Sequence, residues 1–151
     1  MPKKTSVPHA RLIAATLFLL IGNAVCLAVG LLGGSKQAAA DEELFRAYRE
    51  FNRQYFAAKL PEANVVVQWD AAVELGGNVA LTWITNYEGE GEKIAISIST
   101  RMQGCEPCAS MTLLHEMVHV KLRKCDGDQH GKAFQREMRR LVRLKAFDRR
   151  W

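Results

Sequence analysis

The sequence predicts an α+β domain preceded by an apolar membrane or export segment, and three observations carry that expectation. Residues 12–35 contain no charged side chain. Residues 64–99 hold three short stretches of strand character separated by turn signals. Helical apolar spacing brackets them, over residues 41–59 and again from residue 110 onward. The expected division is a leader over 1–40, apolar over 12–32, and one small folded domain over 41–151. With 48% hydrophobic and 25% charged residues in 151, the chain is globular in character, and no internal repeat or low-complexity tract interrupts it.

The leader is read from length and charge. A helical run over 12–32 would span roughly 30 Å, the thickness of a bilayer core. Lys3, Lys4 and Arg11 precede it, as in an export signal, and Ala38-Ala39-Ala40 offers small residues to a signal peptidase. The run exceeds the roughly 7–15 residues usual in a cleaved signal, which favours an uncleaved anchor. Asn23 and Val25 fit poorly around Cys26 as a lipidation site. Positive charge before the run predicts that the folded domain lies outside the cytoplasm, most simply on the periplasmic face of a bacterial inner membrane, or exported if the signal is cleaved. The expected partners are therefore the membrane, through this segment, and a protein or peptide substrate. Nucleic acid is not expected.

Within the domain, residues 41–59 form the first expected helix. Asp41 is its candidate cap, Glu42 and Glu43 favour its positive end, and Leu44, Tyr48, Phe51 and Tyr55 make one buried stripe. Leu60-Pro61 ends it. Strands are expected over 64–69, 79–85 and 93–99; the last sets Ile94, Ile96 and Ile98 against Ala95, Ser97 and Ser99. Gly76-Gly77 and residues 86–92 are the turns between them. A second helix follows from Ser110, with Met111, Leu114, Val118 and Leu122 at helical spacing, stopping near Cys125-Asp126-Gly127-Asp128. In the closing helix Phe134, Met138, Leu141 and Val142 face the core. Lys132, Arg136, Arg139, Arg140 and Arg143 share the other face, which reads first as solvated surface, then as a lipid-headgroup contact, and last as a nucleic-acid patch.

Three of the four histidines, His115, His119 and His130, fall together; His9 lies before the apolar run. His115-Glu116-Met117-Val118-His119 puts two imidazoles on one helix face, spaced for a single zinc ion, with Glu116 able to serve as general base. The plainer alternative is an amphipathic helix that happens to carry these residues. A catalytic zinc needs a third protein ligand and an open position. His130 and Glu137 both fit by spacing, while Asp126 and Asp128 read as turn residues.

Residues 44–142 resemble the SprT-like metallopeptidase family. The resemblance rests on Tyr48, Phe51-Asn52 and Phe56; on Leu60-Pro61; on Val67 and Trp69; on Ile96-Ser97-Ile98-Ser99; and on Leu113-Leu114 before the His-Glu-Met-Val-His run. Asp126, His130-Gly131 and Phe134 complete it. It implies a zincin-type domain holding one zinc ion through His115, His119 and His130, with Glu116 as catalyst. Neither a zinc-ribbon cysteine quartet nor a DNA-binding extension is expected after this stretch.

Cys105 and Cys108 precede the metal helix and Cys125 follows it, about 24 Å away by helical rise. A local Cys105–Cys108 disulfide is expected in an oxidising compartment, ahead of a thioredoxin-like redox pair, and Cys125 is left odd. The function expected is zinc-dependent hydrolysis of peptide bonds in envelope or unfolded proteins, with Tyr87 a candidate oxyanion donor. The competing classes are a zinc-binding module without turnover and an intracellular DNA-associated protease.

Overall fold

Alternating isoleucines give the middle strand of the sheet one face turned to the core. The computed structural model describes residues 38–87, 91–125 and 128–148. Strands β1 (Val65–Trp69), β2 (Ala80–Tyr87) and β3 (Gly91–Ile98) pair in the order β1-β3-β2, with β3 parallel to β1 and antiparallel to β2. Ile94, Ile96 and Ile98 all point into the core, as the alternation predicts. The opposite face is more polar; there Gln68 Nε2 donates to Ser97 Oγ at 3.2 Å. The fold is α+β, a small sheet with helices before and after it.

Helix α1 is described over 38–56, and Leu44, Tyr48, Phe51 and Tyr55 are buried along one stripe. Both of its expected ends are corrected. The helix already includes Ala38, Ala39 and Ala40, for which alanine's high helix propensity is sufficient reason. Asp41 therefore lies inside the helix instead of capping it, and its Oδ1 accepts from the Trp69 backbone N–H at 2.8 Å, tying α1 to the end of β1. At the other end the helix stops at residue 56, before Leu60-Pro61, because Asn52 competes for the chain. Ala57 and Ala58 turn left-handed at φ 55°, and Ala58 N donates to Asn52 O at 2.9 Å. The buried Asn52 amide then clasps Leu60 on both sides, accepting from its N–H at 3.0 Å and donating to its carbonyl at 3.1 Å.

Helix α2 (Glu106–Leu122) runs through the core, so its buried surface is wider than the expected stripe. Leu114 and Val118 are buried as predicted, joined by Leu113, Met117 and Val120, while Met111 and Leu122 are only partly covered. The helix ends at Leu122, before the expected Gly127, which with Asp126 lies outside the described residues. Helix α3 (Lys132–Arg143) closes the core with Phe134 and Leu141. Val142 is corrected: it is 61% exposed, because the buried row runs through Phe134, Glu137 and Leu141 and leaves it a sixth of a turn or more outside. Arg140 also leaves the basic surface. It donates to Glu137 at 2.7 Å and to the Tyr55 carbonyl at 2.8 Å.

Residues 1–37, with the apolar run, Cys26 and His9, lie outside the described residues. Among the described residues no helix is long and apolar enough to cross a membrane.

Replacing Asn52 by alanine strands both buried backbone groups of Leu60. A loss of about 2–4 kcal/mol is expected, read from the midpoint of urea unfolding. A midpoint equal to that of the parent protein would show that the clasp is not what holds this corner.

Candidate metal centre

Two side chains on one helix face and one on a following turn converge on a point beside the sheet. His115 and His119, one turn apart on α2, bring their Nε2 atoms to 3.3 Å. The third imidazole arrives by local turn chemistry. Asp128 Oδ1 accepts from the His130 N–H at 3.0 Å, and the Asp128 carbonyl accepts from Gly131 N at 3.0 Å. A Cβ on Gly131 would stand 3.1 Å from the Asp128 backbone oxygen, so the close approach that swings His130 inward favours glycine. His130 Nε2 then lies 3.2 Å from His115 Nε2, and the ligand atoms of all three histidines fall within 4.8 Å of one another.

This donor set fits a divalent cation. Nitrogens held 2.0–2.1 Å from a tetrahedral ion stand about 3.3 Å apart, which matches the two closest pairs. Burial, with the neighbouring His130 charge, holds the His115 imidazole below its ordinary pKa. Burial and the charges of His115 and His130 push His119 down to about 4. Both are thus neutral near pH 7, the form in which imidazole lends a lone pair to a metal. Phe134 backs the cluster, its ring centroid 4.7–4.8 Å from those of all three histidines.

Glu116 sits between the two helical histidines but is not among the converging donors. It is buried, and its Oε2 accepts from Thr82 Oγ1 of β2 at 2.6 Å. Burial raises its pKa, against the opposing effects of the Thr82 hydrogen bond and the His130 charge. Thr82 was not singled out in the sequence. The signal was there: Ala80, Thr82 and Ile84 alternate on the face of β2 turned to the core, and the middle one is polar.

The other candidate ligand points elsewhere. Glu137 is buried against Lys121 Nζ at 2.5 Å and Arg140 Nε at 2.7 Å. Burial alone would raise its pKa, but those hydrogen bonds and charges hold the carboxyl below its usual range. Asp128 does serve the turn, while Asp126 and the Tyr87 side chain lie outside the described residues. Cys105 and Cys108 close a disulfide at the start of α2, and Cys125 is a free, exposed thiol. A cleft of about 790 Å³ opens over the histidines, with β2 residues as one wall and Met138 and Phe147 on another.

An α+β domain with an i,i+4 histidine pair, a third histidine and a buried glutamate that is not a donor has the build of a metal-dependent hydrolase. Residues 44–148 match the SprT-like family, and the chain belongs to it. It is 32% identical over 100 residues to the DNA-dependent metalloprotease SPRTN of Xenopus tropicalis, covering 62% of this chain and 21% of that protein. The SPRTN of Danio rerio is 32% identical over 100 residues, covering 62% and 15%. That of Homo sapiens is 32% identical over 108 residues, covering 68% and 21%. The chain thus spans about a fifth or less of the curated relatives it matches. No solved structure matches it.

These relatives overturn one expectation. Nucleic acid was not expected as a partner, because the leader's inferred address lies outside the cytoplasm and the basic face of the closing helix read first as solvated surface. The relatives are named for their dependence on DNA, and neither argument bears on that property. Lys132, Arg136, Arg139 and Arg143 of α3 are exposed.

His130→Ala is expected to lose most of the affinity for zinc measured by competitive titration, while Glu137→Ala keeps the affinity and lowers the melting temperature. The reverse order would make Glu137 the third ligand.

Proposed function

We propose that the chain is a zinc metalloendopeptidase with a zincin-type site. His115, His119 and His130 hold the ion, and Glu116 is the general base. The observation that carries this reading is the division of labour around helix α2. Three imidazole nitrogens converge, and the carboxylate between two of them is buried, hydrogen-bonded and apart from the donor set. A structural zinc site has four protein donors and no use for such a glutamate. This is the argument against a binding module without turnover. The relatives' names as metalloproteases support the same chemistry.

When bound, zinc supplies Lewis acidity, lowering the pKa of a water and polarising the scissile carbonyl. Glu116 accepts a proton from the attacking water as its oxygen bonds to the carbonyl carbon. It delivers that proton to the amine nitrogen as the C–N bond breaks. The cleft wall formed by β2 suits an extended polypeptide, because β2 is an edge strand of the sheet and pairs only with β3 among the described strands. Unfolded segments of proteins are the proposed substrates.

For the address we propose a leader over 1–40 and a catalytic domain over 41–151 on the extracytoplasmic side of a membrane. Lys3, Lys4 and Arg11 before the apolar run support that orientation, and the closed Cys105–Cys108 disulfide suits an oxidising compartment. A second reading, a protease that works on or with DNA, is favoured by the relatives' names and by the exposed basic residues of α3.

Glu116→Gln is expected to keep stoichiometric zinc and lose proteolysis of an unfolded protein; full turnover in that variant would remove Glu116 from the mechanism. A reporter enzyme that folds only outside the cytoplasm, fused after Trp151, is expected to be active. Activity only of a cytoplasmic reporter would end the proposed address and leave the DNA-linked reading in its place.

A further inference from the structure

The strand opposite the metal helix carries one side chain that serves the glutamate and not the core. Thr82 sits between Ala80 and Ile84 on the core-facing side of β2 and pairs in register with Ile96, which is fully buried. Valine has nearly the same shape and would suit that face better, since a hydroxyl placed among apolar neighbours is costly unless bonded. Thr82 does bond, across 34 residues of sequence, donating to Glu116 Oε2 at 2.6 Å. A hydrogen bond this short to a carboxylate is of the strong, charge-assisted kind.

We propose that Thr82 is a positioning residue for catalysis: its hydroxyl fixes the Glu116 carboxylate from the opposing strand and leaves one oxygen, Oε1, to exchange the proton. This rests on the proposed role of Glu116 as general base. A glutamate has three side-chain torsions, and helix α2 fixes only where the side chain begins. The Thr82 bond adds a second anchor from another element. Ala80, Leu81, Thr82 and Ile84 of the same strand, with Asn78 and Val79 just before it, line the cleft. The base is thereby held in register with the wall against which a polypeptide would lie.

The merely structural alternative is that Thr82 satisfies a buried carboxylate and nothing more. The two are separated with the zinc-loaded full chain, fluorescein-labelled unfolded casein as probe, and the variants Thr82→Val, Thr82→Ser, Glu116→Gln and Thr82→Val/Glu116→Gln. Thr82→Val is expected to lower kcat about tenfold with KM and zinc content unchanged, a fraction of what general-base catalysis supplies. Thr82→Ser should restore kcat, and Thr82→Val should have no further effect once Glu116 is glutamine. Infrared difference spectra taken against Glu116→Gln should show the carboxylate stretch displaced in Thr82→Val, in the metal-free protein as well. An unchanged kcat and unchanged stretch in Thr82→Val, beside an inactive Glu116→Gln, would overturn the positioning role and leave the peptidase reading standing. Full activity in Glu116→Gln would overturn both. Zinc content falling, or KM rising, along with the loss of kcat would mark Thr82 as structural. If Thr82→Val does not fold, Thr82→Ala removes the same hydroxyl and carries the same comparisons.

Discussion

Helix α2 must be the centre of the core and the carrier of the polar cluster at once, and most of the remaining structure follows from that conflict. Leu113, Leu114, Met117, Val118 and Val120 are all buried, so only a narrow strip of the helix can stay open to solvent. His115 and His119 occupy that strip because a four-residue step returns to nearly the same face. Glu116, one residue on, is rotated by about 100° toward the interior. The HExxH spacing therefore places two groups at the cleft and one behind it, before any other element contributes. The sheet must then meet Glu116 with a donor, and α3 must return with a third imidazole and an apolar backing.

Carboxylates inside a small core have to be answered, and the two buried ones among the described residues are answered differently. Glu137 lies among the buried residues of α3, where it receives Lys121 from α2 and Arg140 from its own helix. Two cations for one carboxylate make that pair of helices a charged seam, and they remove Glu137 from competition for a metal. Glu116 receives a single neutral hydroxyl instead. Its pKa is consequently raised by burial, where the two cations hold that of Glu137 below its usual range.

The helices, the strands and the histidine cluster were legible because each is written as a short repeat. Ile94, Ile96 and Ile98 alternate, Leu44, Tyr48, Phe51 and Tyr55 recur at helical steps, and His115 and His119 stand one turn apart. The His-Gly-x-x-Phe element was legible by resemblance. Its physics is now plain, since Gly131 permits the tight turn and Phe134 backs all three imidazoles. What escaped were polar residues whose partners are distant in sequence. Asp41 looked like a cap because its tie to Trp69 is tertiary. Asn52 gave no sign that it would stop a helix several residues later by clasping Leu60. The apolar face of α3 was misjudged at Val142 because a buried glutamate, neutralised from another helix, took the place a hydrophobic residue was expected to hold.

Precision at the metal centre depends on how firmly α2 is held, and bonds unrelated to its hydrophobic burial close its first turn and tie its end to the sheet. At the start, the Cys105–Cys108 disulfide closes the first turn, where no side chain caps the helix. At the finish, Arg123 pairs with Glu92 at 2.6 Å and also donates to the Val120 carbonyl at 2.9 Å, joining the end of α2 to β3. Between these points Thr82 reaches across from β2 to the residue that separates the two histidines. A helix tied to the sheet at its middle and its end cannot slide or rotate along it without breaking one of those two bonds. The imidazoles on its open strip are therefore set in place by the sheet before a cation arrives. Less of the binding free energy then has to be spent on ordering ligands.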